Sequence, residues 1–324
     1  MADDQAPAPS APQAQIESPL GSFEGRKPPA PAWFEWAIAQ EPERSFVEVS
    51  GANIELLTWG QKGRPGLLLI HGNSAHADWW SFIAPYLAQD YRVAAISLSG
   101  MGASDWRESY SFEVFAQEMY AGAQAAGLYE GPVKPIFCGH SFGGSQVFYA
   151  ARAYPEWMSG ALLIDTGFGG PPPATEGFRQ PQMRTQPNRV YPTLEAALAR
   201  FRFMPPQGCA NPYIADFIAR RSLKPARTED GADGWTWRFD PLLWGKLDRT
   251  AMASMTLEPS WCPMLHIYGE HSMVMRRSQE SPGHKLLSGL KQVVIPDSEH
   301  HIMVDQPLAL ISAMRGVLTG WPRG

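Results

Sequence analysis

The stretch that decides the fold is residues 133–154, VKPIFCGHSFGGSQVFYAARAY. Its apolar first part, residues 133–138, predicts a buried strand, and residues 141–154 predict a helix. The turn between them, residues 139–143, matches the pattern G-x-S-x-G with Ser141 at its centre. Such a sharp strand-to-helix turn crowds the backbone, so only small residues fit on either side of the serine.

Ser141 would therefore lie at a helix N-terminus, where free N–H groups and the helix dipole favour developing negative charge. This placement makes Ser141 the candidate nucleophile. The alternative interpretation is a glycine-rich turn that carries a spectator serine.

Short apolar runs alternate with helical segments along most of the chain. We predict strands at residues 45–49, 54–59, 66–70, 91–96, 133–138, 160–164, 262–268 and 291–295, and helices at 79–87, 111–126, 141–154 and 307–318. Continuous apolar runs such as residues 66–70 indicate strands that are buried on both faces. The alternation predicts an α/β protein whose mostly parallel central sheet has helices on both faces.

The chain divides into three predicted regions. Residues 1–32, rich in Ala, Pro, Gln and Ser, predict a disordered tail, since they bury too little surface to offset their ordering entropy. Residues 33–167 and 259–324 form the predicted core. Residues 168–258, here called the insertion, interrupt the alternation after the sixth strand. We expect the insertion to be a mainly helical cap over the carboxyl ends of the strands, where ligands bind in such sheets.

Composition narrows the class of protein. The net charge is −5 and no basic stretch is present, which argues against a nucleic-acid partner. Neither a signal peptide nor a membrane-spanning run is predicted, so we expect a cytoplasmic protein that acts on a small molecule, with no membrane partner. Three widely spaced cysteines and eight histidines without ligand spacing predict no disulfide framework, metal site or cofactor. The oligomeric state is not encoded in these features.

From about residue 45 to its C-terminus the sequence resembles the α/β-hydrolase superfamily, and in particular its capped, esterase-like serine hydrolases. Three motifs besides the serine turn carry the resemblance to the core of that fold. They are His71-Gly72-Asn73, where the family has its oxyanion loop, GMGASD at residues 100–105, and EHHIMVDQP at residues 299–307, where the family has its catalytic histidine. WTWRFDP at residues 235–241 is similar to a segment near the end of the cap in many members.

The resemblance implies roles for individual residues. His300 would be the general base, preferred over His301 because the family's histidine is usually the first of such a pair. The backbone N–H groups of Phe142 and Asn73 would form the oxyanion hole. Asn73 has a second interpretation, as a residue that only shapes its loop. Haloalkane dehalogenases also carry His-Gly-Asn here, but they need an aspartate as nucleophile, a role that Ser141 does not fill.

The acid departs from the commonest family pattern. Many members have an aspartate three residues after the glycine that ends the seventh strand, and this chain has Ser272 there. We prefer Asp165, at the end of the sixth strand, because a carboxylate at a buried strand end needs a partner. Some members, haloalkane dehalogenases among them, take their acid from that position. Glu270 is the alternative acid. A site without an acid, with Asp165 in a structural role, is also open.

The predicted reaction is hydrolysis of carboxylic esters, apolar or aromatic, through an acyl-enzyme on Ser141. Aromatic residues suggest the substrate class, with Trp79, Trp80 and Trp244 as the candidate pocket. Further apolar side chains in the insertion are Tyr191, Phe201, Phe203, Met204 and Phe217. Their alternative role is to hold the cap to the core. The same catalytic residues would also suit a lactonase, thioesterase, amidase or C–C bond hydrolase. A non-catalytic receptor on this fold is a further alternative.

Overall fold

A computed structural model of the protein describes residues 18–168, 186–250, 262–279 and 284–321. An eight-stranded sheet forms its centre. The strands are β1 Glu43–Val49, β2 Ala52–Trp59, β3 Gly66–Ile70, β4 Arg92–Ile96, β5 Ile136–His140, β6 Gly160–Ile164, β7 Met264–Gly269 and β8 Lys291–Ile295. Their order in the sheet is β1-β2-β4-β3-β5-β6-β7-β8. β2 is antiparallel to β1 and β4, and every other pairing in the sheet is parallel. The predicted mostly parallel sheet is confirmed.

The described helices lie against the two faces of this sheet or belong to the insertion. They are α1 Ala32–Ile38, α2 Ala84–Leu87, α3 Phe112–Ala125, α4 Phe142–Ala153, α5 Leu194–Leu198, α6 Pro212–Arg221, α7 Leu243–Lys246, α8 Met273–Gln279, α9 His284–Ser288, α10 Ile302–Asp305 and α11 Pro307–Thr319. Successive strand residues point to opposite faces of the sheet. Leu67 of β3 accordingly belongs to one core cluster, here called the first, and Leu68 belongs to the second, on the other face. Helix α11 packs Met314 into the first cluster, and α3 packs Met119 into the second.

Prolines explain two differences from the predicted elements. The single helix expected at residues 79–87 is instead a 3-10 turn, Ala77–Trp80, followed by α2. Pro85 lies in the first turn of α2, where its missing N–H prevents a helix from running through it. Strand β5 begins at Ile136 rather than at residue 133, since Pro135 has no N–H for the strand ladder.

The predicted disordered tail is wrong for the part of it that the structure describes. Leu20 is buried in the first core cluster. The Ser18 hydroxyl donates to the Phe201 carbonyl at 3.3 Å, and Arg220 donates to the Gly25 carbonyl at 2.6 Å. These contacts join residues almost 200 positions apart, which no local pattern reveals. Residues 1–17 lie outside the described ranges.

The insertion begins beyond β6 and ends before β7, and the structure describes its residues 168 and 186–250. It contains α5, α6 and α7. An antiparallel pair of strands, Leu223–Arg227 with Asp233–Trp237, adds sheet structure to the predicted, mainly helical cap. Among the helices that the structure describes, none has the length and apolar character needed to span a bilayer.

Candidate active site

Ser141 occupies the turn between β5 and α4. Its backbone adopts φ 53° and ψ −117°, a conformation that residues other than glycine rarely take. A Cβ on Gly139 would collide with the Gly143 carbonyl, and one on Gly143 would collide with the His71 carbonyl. Both positions must therefore be glycine for the turn to close around the serine.

The structure brings Ser141, His300 and Asp165 into one hydrogen-bonded chain. The Ser141 Oγ lies 2.9 Å from His300 Nε2, and His300 Nδ1 lies 2.7 Å from Asp165 Oδ1. The three residues follow β5, β8 and β6, whose carboxyl ends meet at one edge of the parallel sheet. A proton on Nδ1 is held by the carboxylate, so Nε2 is left to accept the serine proton.

Asp165 has lost all contact with solvent, and three groups donate to its carboxylate. Besides His300, the Ser272 hydroxyl donates to Oδ1 at 2.5 Å and the Gly269 N–H donates to Oδ2 at 2.8 Å. These bonds compensate for the lost water. Ser272, which occupies the position where the resemblance implies an acid, thus contacts the Asp165 carboxylate.

Glu270, the alternative acid, has its contacts elsewhere. Its side chain is half-exposed, lies 3.8 Å from His271 Nε2 and accepts the Asp297 N–H at 3.1 Å. Within the described residues, the hydrogen-bond partners of the His300 ring are Ser141 and Asp165.

Two further histidines surround His300. The Nε2–H of His140 donates to the His300 carbonyl at 3.0 Å, and the His301 ring packs against Trp79 and Phe203 at centroid distances of 5.4 and 5.2 Å. Burial lowers the pKa of both His140 and His301 well below 6.5. Both rings are therefore neutral at pH 7, and neither adds a positive charge beside His300. Sequence reasoning did not identify the contact of His140, because it joins residues 160 positions apart.

The predicted oxyanion loop, residues 71–73, adjoins the serine. A Cβ added to Gly72 would lie 3.4 Å from the Ser141 Cβ, so Asn73 follows directly from a residue packed on the nucleophile. Phe142 is the first residue of α4, where a backbone N–H has no acceptor within the helix. Phe142 thus follows Ser141 directly in the chain, and Asn73 follows a residue that packs against Ser141.

The candidate pocket residues fall into two groups. Trp79 packs against Phe203 and His301, and the Trp244 ring lies 5.5 Å from that of Phe142. Both tryptophans therefore adjoin the site. Trp80 is fully buried in the first core cluster, which places it with the core rather than with a substrate surface.

Two groups of side chains in the described part of the chain are close enough to hold a metal ion, although their sequence spacing predicts none. One is His140, His300 and His301, and the other is the exposed set Glu270, His271 and Asp297. The nitrogens of His300 and Nε2 of His140 already make the hydrogen bonds given above. An ion in the first group would have to compete with them.

Known proteins resemble this chain in sequence. Lipase LipV of Mycobacterium tuberculosis is 25% identical over 201 residues, which are 62% of this chain and 63% of the lipase, so the match spans less than two thirds of that relative. Esterase Rv0045c of the same organism is 23% identical over 299 residues, 88% of this chain and 92% of the esterase.

The solved structure of a thioesterase domain from the curacin biosynthetic pathway superposes with a TM-score of 0.64 at 24% identity, covering 85% of this chain and 99% of that domain. Similarity at this level shows a shared fold. The model of the alpha/beta hydrolase family matches residues 67–313, which include the serine turn, the oxyanion loop and the histidine loop. Because that match spans well over half of the sequence, the chain belongs to the alpha/beta hydrolase family.

Proposed function

We propose that the protein is a serine hydrolase that cleaves carboxylic esters through an acyl-enzyme on Ser141. The observation that carries the proposal is the chain of hydrogen bonds from Ser141 Oγ through His300 to Asp165, at 2.9 and 2.7 Å. A hydroxyl, an imidazole and a buried carboxylate in this order are the parts that nucleophilic acyl transfer needs.

In the proposed reaction His300 Nε2 takes the Ser141 proton while Oγ attacks the acyl carbon. Asp165 holds the ring in the required tautomer and stabilises the imidazolium that forms. The imidazolium then gives its proton to the departing alcohol. Water, deprotonated by His300 in turn, attacks the acyl carbon of the acyl-enzyme. The bond from that carbon to Ser141 Oγ then breaks, His300 returns the proton to Oγ, and the acid is released.

The oxyanion of each tetrahedral intermediate would be held by the backbone N–H groups of Phe142 and Asn73. One donor of this kind contributes on the order of 10²–10³ in rate. The N-terminus of α4 adds its dipole at the same point.

Ester substrates are favoured because two relatives are named as a lipase and an esterase. The rings of Trp79, Phe203 and Trp244 beside the site support a small apolar or aromatic ester. Lactones, thioesters, amides and C–C bonds cleaved by the same groups are the alternatives that a substrate panel separates.

A fluorophosphonate label and p-nitrophenyl esters test the proposal. The wild-type protein should give a burst of p-nitrophenol and gain one label on Ser141 by peptide mass spectrometry. Ser141→Ala should lose both, whereas Ser145→Ala, one helical turn along α4, should keep both. Hydrolysis at the wild-type rate by Ser141→Ala would refute the proposal. Rates on matched ester, lactone, thioester and amide substrates then identify the preferred bond.

A further inference from the structure

The peptide unit between His300 and His301 is held at both of its polar ends. Its carbonyl, that of His300, accepts the Nε2–H of His140 at 3.0 Å, and its N–H, that of His301, donates to Gln207 Oε1 at 2.8 Å. All four residues are at least 95% buried. His140 comes from the core beside the nucleophile, and Gln207 comes from the insertion.

The orientation of the Gln207 amide is fixed by its second partner. Its Nε2 donates to both carboxylate oxygens of Asp305, at 3.0 and 3.1 Å, and Asp305 Oδ2 also accepts the Glu299 N–H at 2.8 Å. A carboxylate only accepts and a backbone N–H only donates, so a single orientation of the amide satisfies both. Gln207 therefore links the two sides of the loop that carries His300.

We propose that Gln207 is a positioning residue for His300, and this inference rests on the proposed role of His300 as general base. The direction in which the ring leaves the backbone depends on the peptide plane that follows it. Gln207 and His140 fix that plane, and with it the 2.9 Å approach of Nε2 to Ser141. A misplacement of about 1 Å costs on the order of 10²-fold in rate. The insertion thus helps to position His300 through Gln207.

Gln207→Met keeps the length of the side chain and removes its three hydrogen bonds, two to Asp305 and one from the His301 N–H. In pre-steady-state acylation by a p-nitrophenyl ester, we expect the acylation rate constant to fall roughly 10–100-fold. The half-saturating ester concentration of that phase should stay within about twofold, because Gln207 acts on His300 and not on the ester.

Gln207→Glu gives a readout that loss of stability alone would not. When protonated, the new carboxyl group accepts the His301 N–H and donates to Asp305, as the amide does. When ionised, it places a second negative charge against Asp305, and close carboxylates share a proton rather than both ionise. Asp305 of the wild type has a pKa of about 6, so the two proteins are compared above that pH. The acylation rate of Gln207→Glu relative to wild type at the same pH should therefore rise several-fold between pH 8.5 and pH 6.5.

Asn211→Ala is the matched control. Asn211 also reaches from the insertion to this loop, but its Nδ2 donates to the Val304 and Asp305 carbonyls at 2.8 and 3.2 Å, away from the His300–His301 peptide. We expect a change of less than about threefold in acylation. An equal loss in Asn211→Ala and Gln207→Met would overturn the proposal, because docking of the insertion alone would then explain both.

The proposal is also overturned if Gln207→Met acylates within twofold of wild type, or if the relative rate of Gln207→Glu does not change with pH. Should Gln207→Met fail to fold by circular dichroism, the pH profile of Gln207→Glu decides. Loss of activity in Ser141→Ala together with a normal Gln207→Met refutes this inference only. Full activity in Ser141→Ala refutes the proposed function itself.

Discussion

The carboxylate of Asp165 is fully buried and accepts from His300, Ser272 and the Gly269 N–H. Three donors with no solvent leave no room for a group that also donates. An amide in this place would turn one N–H toward a donor, and it would no longer hold His300 in the tautomer that leaves Nε2 free.

We therefore expect Asp165→Asn to lower kcat/KM for a p-nitrophenyl ester by about 10³–10⁴, the effect seen when a triad acid is replaced by its amide. Glu270→Gln, a change of the same chemistry on the half-exposed carboxyl group, should stay within about twofold of wild type. The reverse pattern, with the loss in Glu270→Gln, would assign the acid to Glu270.

At this scale the sequence singled out Ser141, His300 and Asp165, which the structure places in mutual contact. It left the choice of acid open because Asp165 and Glu270 both follow strands at the same edge of the sheet. Ser272 was visible as the residue at the family's usual acid position, but a serine there carries no sign of what it binds. Gln207 had no signal at all, because its partner His301 is 94 positions away.

Helix α4 is packed against the end of β6 through its second glycine. A Cβ on Gly144 would collide with Thr166 Oγ1 and would lie 2.8 Å from the Gly139 carbonyl. Gly144→Ala should thus destabilise the fold by roughly 1–3 kcal/mol, since the cost of overlap exceeds the better helix propensity of alanine.

Gly316→Ala in α11 is the control, because a Cβ there meets nothing within 4 Å. It should stabilise the protein by up to about 1 kcal/mol. The free energy of unfolding in urea measures both variants. Stabilisation by Gly144→Ala would contradict the close packing of α4 on β6.

The last residue of α10 gives a prediction for pH. Burial raises the pKa of Asp305 from 3.8 to about 6. The hydrogen bonds from the Glu299 N–H and the Gln207 amide lower this pKa, but burial has the larger effect. The folded protein therefore binds more protons at this site than the unfolded chain between pH 4 and 6. Its contribution to the free energy of unfolding falls as pH rises through that window and stays low above it.

Asp305→Asn should remove this component. Relative to wild type, the variant should lose stability at pH 4.5, where Asp305 is largely protonated in the folded state. That deficit should shrink, or become a gain, at pH 7. Urea unfolding of both proteins at the two pH values gives the comparison, and a deficit that grows with pH would show that the charged form is the stabilised one.

Strands marked by a continuous apolar run were predicted well, because the pattern that identifies them is local. The strands at residues 66–70 and 160–164 agree with β3 and β6 to the residue. The break before α2 depended on Pro85, and the start of β5 on Pro135. Both prolines were present in the sequence, but their effects depend on the position in the element at which they fall.

At the scale of the molecule, Asp240 joins the insertion to the core. Its carboxylate accepts from the Tyr110 hydroxyl at 2.8 Å and from Lys246 Nζ at 2.8 Å, and its N–H donates to the Gly100 carbonyl at 2.7 Å. Burial raises the pKa of Tyr110 above 10, so the phenol keeps the proton that it donates.

Asp240→Ala should lower the free energy of unfolding by roughly 3 kcal/mol, because the buried Tyr110 hydroxyl loses its acceptor and the partly buried Lys246 ammonium group keeps only the Arg107 carbonyl. Limited proteolysis should also cut the insertion faster than in wild type. Asp248→Ala, at an exposed carboxyl group nearby in the chain, should change stability by less than about 0.5 kcal/mol. Equal proteolysis of Asp240→Ala and wild type would show that the insertion is attached by other contacts.

The parallel sheet with a core on each face followed from the alternation of apolar strands and helices. The way in which the insertion attaches to the core could not be predicted. Gln207 contacts His301 and Asp240 contacts Tyr110, and each of these pairs is more than 90 positions apart in the sequence. Residues 18–32, the described part of the predicted tail, were misjudged for the same reason.

The bond between Ser272 and Asp165 joins the ends of two neighbouring strands, β6 and β7. Two substitutions, Ser272→Asp and then Asp165→Ser, would consequently move the carboxylate from the end of β6 to the end of β7. The imidazole would stay in place. In the intermediate with both aspartates, the two carboxyl groups would share one proton, and His300 would still have a negatively charged hydrogen-bond acceptor. On the proposed mechanism, the acid can therefore lie after either of these two strands while the serine and the imidazole keep their places.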